Sequence, residues 1–338
     1  MKEISFYLKV LLVIRSIVLT LLVLLLGLKV PIYAKDIDLC LFEKLKEALD
    51  DQTVGELRSL CSIEENVESK PEISERLEVE HLEAFNPYMI MPHKMNYILP
   101  ISYTDNINKD AYNDQGNWSE NLKNIEAKFQ ISLKVPLTES IFKEGDNLAF
   151  GFTLQSWWQL YAEEISRPFR ETNYQPELFY FSPLDWQPAG GKTGYMIGLE
   201  HQSNGRAQAL SRSWNRVYLN FFYAKGDFVA SFRPWYRIPE GDKETTPEES
   251  GDDNPDIDEY MGHFELAMAY KWDEYEFAFK GRQNFKEHHG GMELGFTFPL
   301  SGRLRGYLQY TNGYGESLID YNHSQQRFGI GIALTDMF

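Results

Sequence analysis

At 338 residues, with 50 acidic against 33 basic side chains, the chain carries a formal net charge of −17. So acidic a surface excludes nucleic acid as a partner, because phosphate backbones are bound by basic faces. Aromatic residues are plentiful (22 Phe, 20 Tyr, 7 Trp), yet mean hydropathy is negative. Beyond the first 34 residues no apolar run approaches the ~20 residues of a membrane-spanning helix, so any spanning structure must be built from strands.

Residues 1–34 read as a secretory signal. Lys2, Lys9 and Arg15 supply positive charge, Ser16 to Leu28 is almost unbroken in its apolar character, and Ile32-Tyr33-Ala34 offers a small residue for cleavage after Ala34. The alternative is an uncleaved anchor. Cleavage removes Lys2, Lys9, Arg15, Lys29 and Glu3, which takes the formal charge from −17 to −20. Residues 35–85 are charged and helix-prone, and are expected to form a periplasmic helical extension. They hold both cysteines, Cys40 and Cys61, on either side of a segment with helical Leu45, Leu49 and Leu57 spacing. In an oxidising compartment the two either pair and staple a helical hairpin or remain free thiols.

From about residue 92 the period changes to two. Alternating segments fall near 94–104, 124–136, 147–161, 173–184, 192–203, 214–224, 227–237, 260–271, 273–284, 290–299, 303–313 and 325–338. An even count near 12 suits an all-β, transmembrane antiparallel barrel over residues 86–338, since closure leaves no edge and satisfies every backbone group within lipid. In the last segment Phe328, Ile330, Ile332 and Leu334 alternate with small or polar residues up to a terminal Phe338. A soluble sandwich shares this alternation, so the export signal and the terminal aromatic decide between them. Polar loops around 105–122, 161–172, 205–213, 239–258 and 312–324 are long, whereas turns such as Lys225-Gly226-Asp227 and Ser301-Gly302-Arg303 are short. Long loops face outward in such barrels. Trp157, Trp158, Trp186, Trp214, Trp235 and Trp272 are candidates for interfacial belts.

The hairpin over residues 195–220 carries the chemistry. Side chains two apart on a strand share a face, so His201 and Ser203 point the same way, with imidazole within reach of hydroxyl. If the turn closes at about 205–213, Asn215 returns opposite His201 and can engage its second ring nitrogen. A nucleophile, a base and a group that orients the base complete triad logic. Polar groups on a lipid-directed face are costly and mark function.

The stretch from His201 to Asn215, with Ser-Asn-Gly-Arg and Ser-Arg-Ser-Trp-Asn-Arg inside it, resembles the bacterial outer membrane phospholipase A family, and the likeness extends over roughly residues 84–338. The resemblance implies a phospholipase A1/A2 in the bacterial outer membrane, hydrolysing acyl esters of phospholipids and lysophospholipids and active as a homodimer. In it Ser203 is the nucleophile, His201 the base and Asn215 the orienting group, while Gly205 supplies a backbone N–H to the oxyanion. It also implies Ca2+, held through Ser211, the Arg206 carbonyl and a second subunit's Ser166, the last lying in Ser-Arg-Pro-Phe-Arg-Glu-Thr-Asn-Tyr. Gln208 stands where the family carries an aspartate, which puts a second calcium position in doubt, although Asp253, within the Asp252-Asp253-Asn254-Pro255-Asp256 loop, matches a family calcium position. Two rivals remain at this point: a transport or binding barrel without catalysis, which predicts an open lumen, and a lipid A deacylase-like esterase, which would want a carboxylate in place of Asn215.

Overall fold

The computed structural model describes residues 91–243, 251–301 and 304–335. The signal, the 35–85 extension with its two cysteines, and Phe338 lie outside the described residues. The strands are β1 (Met91–Pro92), β2 (Tyr97–Thr104), β3 (Ile125–Glu139), β4 (Asn147–Trp158), β5 (Phe169–Leu184), β6 (Lys192–Ser203) and β7 (Ser213–Lys225). They continue with β8 (Phe228–Ile238), β9 (Phe264–Trp272), β10 (Tyr275–Asn284), β11 (His289–Ser301), β12 (Leu304–Gly313) and β13 (Gln325–Ala333). From β2 onward each strand pairs antiparallel with its neighbour in sequence, and β13 returns to β2 with Phe328 opposite Tyr103 and Ile330 opposite Ile101. Twelve strands therefore close a ring without an edge. The two residues of β1 continue the line of β2 along β3. Asn96 bridges the break, its side-chain oxygen accepting from Ser132 N at 2.6 Å and its amide donating to Ser132 O at 3.2 Å.

Connections alternate between the two ends of the ring. Loops 105–124, 159–168, 204–212, 285–288 and 314–324, with the described residues 239–243 and 251–263, gather at one end, and the turns 140–146, 185–191, 226–227 and 273–274 at the other. The 285–288 loop falls in the gap between the alternating segments 273–284 and 290–299. The segment expected to begin as a strand at residue 260 starts instead within a short helix, Ile257–Met261. Gly262, at φ +67°, ends that helix with its N–H on the Asp258 carbonyl, and β9 starts only at Phe264.

The alternation is inverted relative to a soluble protein. On β13, Gln325 and Arg327 are buried while Phe328 and Ile330 are 49% and 43% exposed. On β6, Glu200 is buried while Ile197 and Leu199 lie open. Apolar side chains outward and polar ones inward is the pattern of a wall bathed in lipid.

The lumen is crossed by ion pairs, as removal of charge from water demands. Toward the long loops, Arg170 meets Glu126 at 2.8 Å and Asp320 at 3.0 Å, Arg327 meets Glu126 at 2.9 Å and Glu316 at 2.7 Å, and Lys128 meets Glu316 at 3.0 Å. Lower down, Glu177 takes His93 (2.9 Å), Lys94 (3.1 Å) and the Tyr218 hydroxyl (2.6 Å), and Glu200 pairs with Arg216 and Arg233. A cavity of about 490 Å³ remains beside Lys94, Glu177 and Arg233. The open lumen that a transport barrel calls for is thus interrupted by paired charges.

Burial corrects the tryptophan reading. Trp157 and Trp214 are fully buried and Trp235 nearly so. Arg216 stacks 3.8 Å from the Trp214 ring, an inward cation–π contact. These three fill the interior because they occupy inward positions of their strands, whereas Trp186 (69% exposed) and Trp272 (65%) stand outside at the short-turn end, where belt residues belong. Period alone did not separate them, since a tryptophan suits either face.

The 140–146 turn is locked by Asp146, which accepts from the backbone N–H of Ile141 (2.6 Å), Phe142 and Lys143 (2.9 Å each) and from the Tyr180 hydroxyl (2.7 Å). Burial by itself would raise this carboxyl, but the hydrogen bonds from Tyr180, Phe142, Lys143 and Ile141 outweigh it and bring it down to about 2. A depressed carboxyl stabilises the fold above its unfolded value and loses that contribution as pH falls through its folded value. Wild type is therefore expected to exceed Asp146→Asn in urea midpoint at pH 7, with the gap closing between about pH 4 and pH 2. A gap that stays constant across that range would contradict the lock.

Candidate active site

His201 and Ser203 end β6 at the long-loop side, and Asn215 opens β7. Register sets His201 directly opposite Asn215 and Ser203 opposite Ser213. His201 and Ser203 share the outward parity of Ile197 and Leu199, so both lie on the outer wall, each half-buried. His201 Nδ1 lies 2.8 Å from Asn215 Oδ1. Because the carboxamide oxygen only accepts, this contact fixes the tautomer with a proton on Nδ1 and leaves the Nε2 lone pair for a partner on the same face. The other side of the amide is also engaged: Asn215 Nδ2 donates to Glu240 Oε1 at 2.8 Å. Glu240 was not foreseen, since it lies 25 residues away in an acidic loop and only the β7–β8 register, with Ile238 opposite Asn215, brings it near.

The inward neighbours hold this frame. Gln202 Oε1 accepts from Trp214 Nε1 at 2.8 Å, pinning the step between the two outward residues of β6 to β7. Asn204 then clamps the loop: its amide donates to the Leu210 carbonyl (2.8 Å), and its Oδ1 accepts from Arg212 N (3.0 Å) and Arg206 N (3.2 Å). Gly205 follows at φ +61°, and a Cβ there would meet the Tyr174 ring at 3.3 Å. Tyr174 is the β5 partner of Ser203 in register. Glycine at 205 thus meets two constraints, a left-handed backbone and a close aromatic neighbour.

The residues singled out for calcium divide into two groups. Ser211 and Asp253 come together, with the Ser211 hydroxyl donating to Asp253 Oδ2 at 2.5 Å and the other carboxylate oxygen paired with the Lys243 ammonium. Arg206 lies in the same loop, its guanidinium reaching the Phe169 carbonyl at 2.8 Å. Ser166 is elsewhere. It is exposed in the 159–168 loop at φ +62° and followed by Arg167 at φ +51°, two left-handed residues that turn the chain after the short 3₁₀ turn Glu163–Ile165. The remaining carboxylates of the acidic loop have other employment: Asp252 takes Arg237 through both oxygens at 2.6 Å, and Asp256 accepts from the Tyr321 hydroxyl at 2.5 Å. Burial first, and then the Asp256 carboxylate, hold the Tyr321 phenol well above its ordinary range, so it stays a donor. Of the acids at 252, 253 and 256, then, Asp253 is the one beside Ser211. The segment docks on the 204–212 loop through this contact and through Asn254 Oδ1, which accepts from Ser213 N at 3.0 Å.

The family model described as phospholipase A1 matches residues 73–334. A phospholipase A1 of Klebsiella pneumoniae is 40% identical over 254 residues, covering 75% of this chain and 85% of that protein. That of Escherichia coli K12 is 39% identical over 254 residues, with coverage of 75% and 84%. Among solved structures, the dimer of the Salmonella typhi outer membrane phospholipase with bound calcium superposes with a TM-score of 0.70 at 40% identity, covering 78% of this chain and 98% of that one. An active-site asparagine-to-alanine mutant of the Escherichia coli outer membrane phospholipase A gives 0.71 at 38% identity, with coverage of 78% and 98%. A matched segment that takes in the whole barrel, with relatives near 40% identity over most of their own length, places this chain in the phospholipase A1 family as an outer membrane phospholipase.

Proposed function

We propose that this phospholipase cleaves acyl esters of phospholipids and lysophospholipids through Ser203, His201 and Asn215, with calcium as cofactor and a dimer as the active form. The observation that carries the reading is the 2.8 Å contact of His201 Nδ1 with Asn215 Oδ1 on the outer wall, beside a serine of the same face. In a lipid-facing position the ester carbonyl of a neighbouring phospholipid lies just beneath its headgroup, near the rim where β6 ends, so substrate reaches the site by lateral diffusion.

The chemistry runs in two acyl transfers. Ser203 Oγ attacks the carbonyl carbon while His201 Nε2 takes its proton, and Asn215 keeps the imidazole in the tautomer that permits this. The Gly205 N–H, presented by the left-handed turn, is assigned to the oxyanion. Collapse returns the proton from His201 to the departing alkoxide, leaving an acyl-serine. Water, deprotonated by His201, then attacks that ester and releases the fatty acid.

The donor set suits calcium: a hydroxyl, a carboxylate and the backbone of the 204–212 loop are all oxygen ligands of the kind a hard cation takes, and Asp253 already attracts a cation in the form of Lys243. Ser211, the Arg206 carbonyl and Asp253 are the ligands assigned from this chain, and Ser166, exposed on its own loop, is assigned to the site of a second copy. When bound, calcium would add positive charge beside the developing oxyanion. The dimer with bound calcium solved for the Salmonella typhi protein supports calcium and a dimer as such, and the active-site asparagine of the Escherichia coli mutant supports an asparagine in the catalytic array.

The test measures fatty acid release from phospholipid in detergent for wild type, for Ser203→Ala and for wild type with chelator, beside the oligomeric state by sedimentation. Loss in both treated samples is expected, with the chelator effect reversed by added calcium. Equal release in all three would defeat the mechanism, and loss in Ser203→Ala alone would defeat the calcium assignment.

A further inference from the structure

We infer that Glu240 is a positioning residue of the catalytic array, a carboxylate that acts on His201 through the Asn215 carboxamide. The inference rests on the triad reading and extends it by one member. Two contacts in series support it: His201 Nδ1 to Asn215 Oδ1 at 2.8 Å, and Asn215 Nδ2 to Glu240 Oε1 at 2.8 Å, with Glu240 half-buried just beyond β8.

The physical consequence follows from which groups donate and which accept. An ionised carboxylate has no proton to give, so it can engage only the NH2 end of the asparagine. Turning the amide over would set Oδ1 against that carboxylate and Nδ2 against the Nδ1–H of the imidazole, two repulsive contacts in place of two attractive ones. Glu240 therefore selects the amide orientation, and through it the imidazole tautomer in which Nε2 is a base. It also restores a negative charge that a neutral asparagine does not carry, placed where the imidazolium formed during attack is stabilised by it.

The flanking strand charges and the nearby basic groups are otherwise engaged. On β6 and β7 the flanking Glu200 and Arg216 turn inward and pair with each other, and on β8 Arg237 turns inward to Asp252. On the outer face, β5 presents Tyr174 and β8 presents Tyr236. In the adjoining loops Arg212 donates to the Ala209 and Ser211 carbonyls and Lys243, which follows Asp242, pairs with Asp253. The carboxylate in contact with Asn215 is that of Glu240.

Two variants separate charge from hydrogen bonding. Glu240→Gln keeps an oxygen that can accept from Asn215 but removes the charge, while Glu240→Ala removes both. Because His201 must be neutral to act and a nearby carboxylate favours imidazolium, the acid limb of the kcat/KM profile is the readout for this contact. Both variants are expected to move that limb down by about half to one pH unit, with kcat falling about tenfold in Glu240→Ala and less in Glu240→Gln, KM little changed, and partial recovery in Glu240→Asp. Direct titration of the His201 ring by NMR in a Ser203→Ala background provides a readout that does not depend on turnover, and the same downward shift is expected there. An unmoved limb and an unmoved His201 titration in both variants would overturn the inference while leaving the triad intact. Activity surviving in Ser203→Ala alone would instead remove the reading beneath it.

Discussion

Ser203→Ala is expected to lower fatty acid release by about 10⁴-fold or more, with KM nearly unchanged, because it removes the nucleophile and leaves only binding and oxyanion stabilisation. His201→Ala should fall as far, since nucleophile and base act as one unit and removal of either leaves only binding and oxyanion stabilisation. Asn215→Ala should be milder, on the order of 10- to 100-fold, since it orients a base without supplying one. The ordering is the informative part. A loss in Asn215→Ala as deep as that in Ser203→Ala would mean that the carboxamide does more than hold the ring. Release measured under single-turnover conditions would separate attack by Ser203 from hydrolysis of the acyl-serine.

The largest effect on stability is expected inside the barrel, at Arg170. This side chain is fully buried and holds Glu126 at 2.8 Å and Asp320 at 3.0 Å. Glu126 retains Arg327 at 2.9 Å, but Asp320 keeps only the hydroxyl of Ser317 (2.6 Å) and the amide of Gln325 (3.5 Å) as side-chain donors. Removing the guanidinium leaves a buried carboxylate without its counter-charge, and breaking such a pair from one side costs about 3–5 kcal/mol. Arg170→Ala should therefore lower the denaturant midpoint far more than Lys123→Ala, whose partner Glu164 is exposed and whose pair contributes about 0–1 kcal/mol. Comparable midpoints for the two variants would show that the interior is wetter than its packing implies. A double change of Arg170 and Asp320 to apolar residues should recover part of the loss, because it removes the stranded charge as well as its partner.

The same interior shows why some parts of the molecule are legible in sequence and others are not. Alternation is a local property, fixed by the pleat, so the twelve strands could be read from residues such as Phe328, Ile330 and Ile332 set against Arg327 and Gly329. The helix at 257–261 was misread at the start of the 260–271 segment, because so short a stretch gives too little period to choose between helix and strand. His201 and Ser203 were legible because they sit two apart on one strand, and Asn215 because the hairpin is local enough for its register to be counted. Trp214 and Trp235 were placed on the wrong face because belt and lumen both accept an indole.

What the chain determined by itself was the strand count, the closed topology and the trio on the outer face, since each depends on neighbours in sequence and on a repeat of two. Only the tertiary structure decided that Glu240 meets Asn215, that Asp253 of its neighbouring acids meets Ser211, and that Arg170 joins Glu126 to Asp320. These contacts bridge loops and strands 25 to 150 residues apart. The register of the intervening strands and the packing of loops over the barrel mouth bring them together, and no local pattern encodes either.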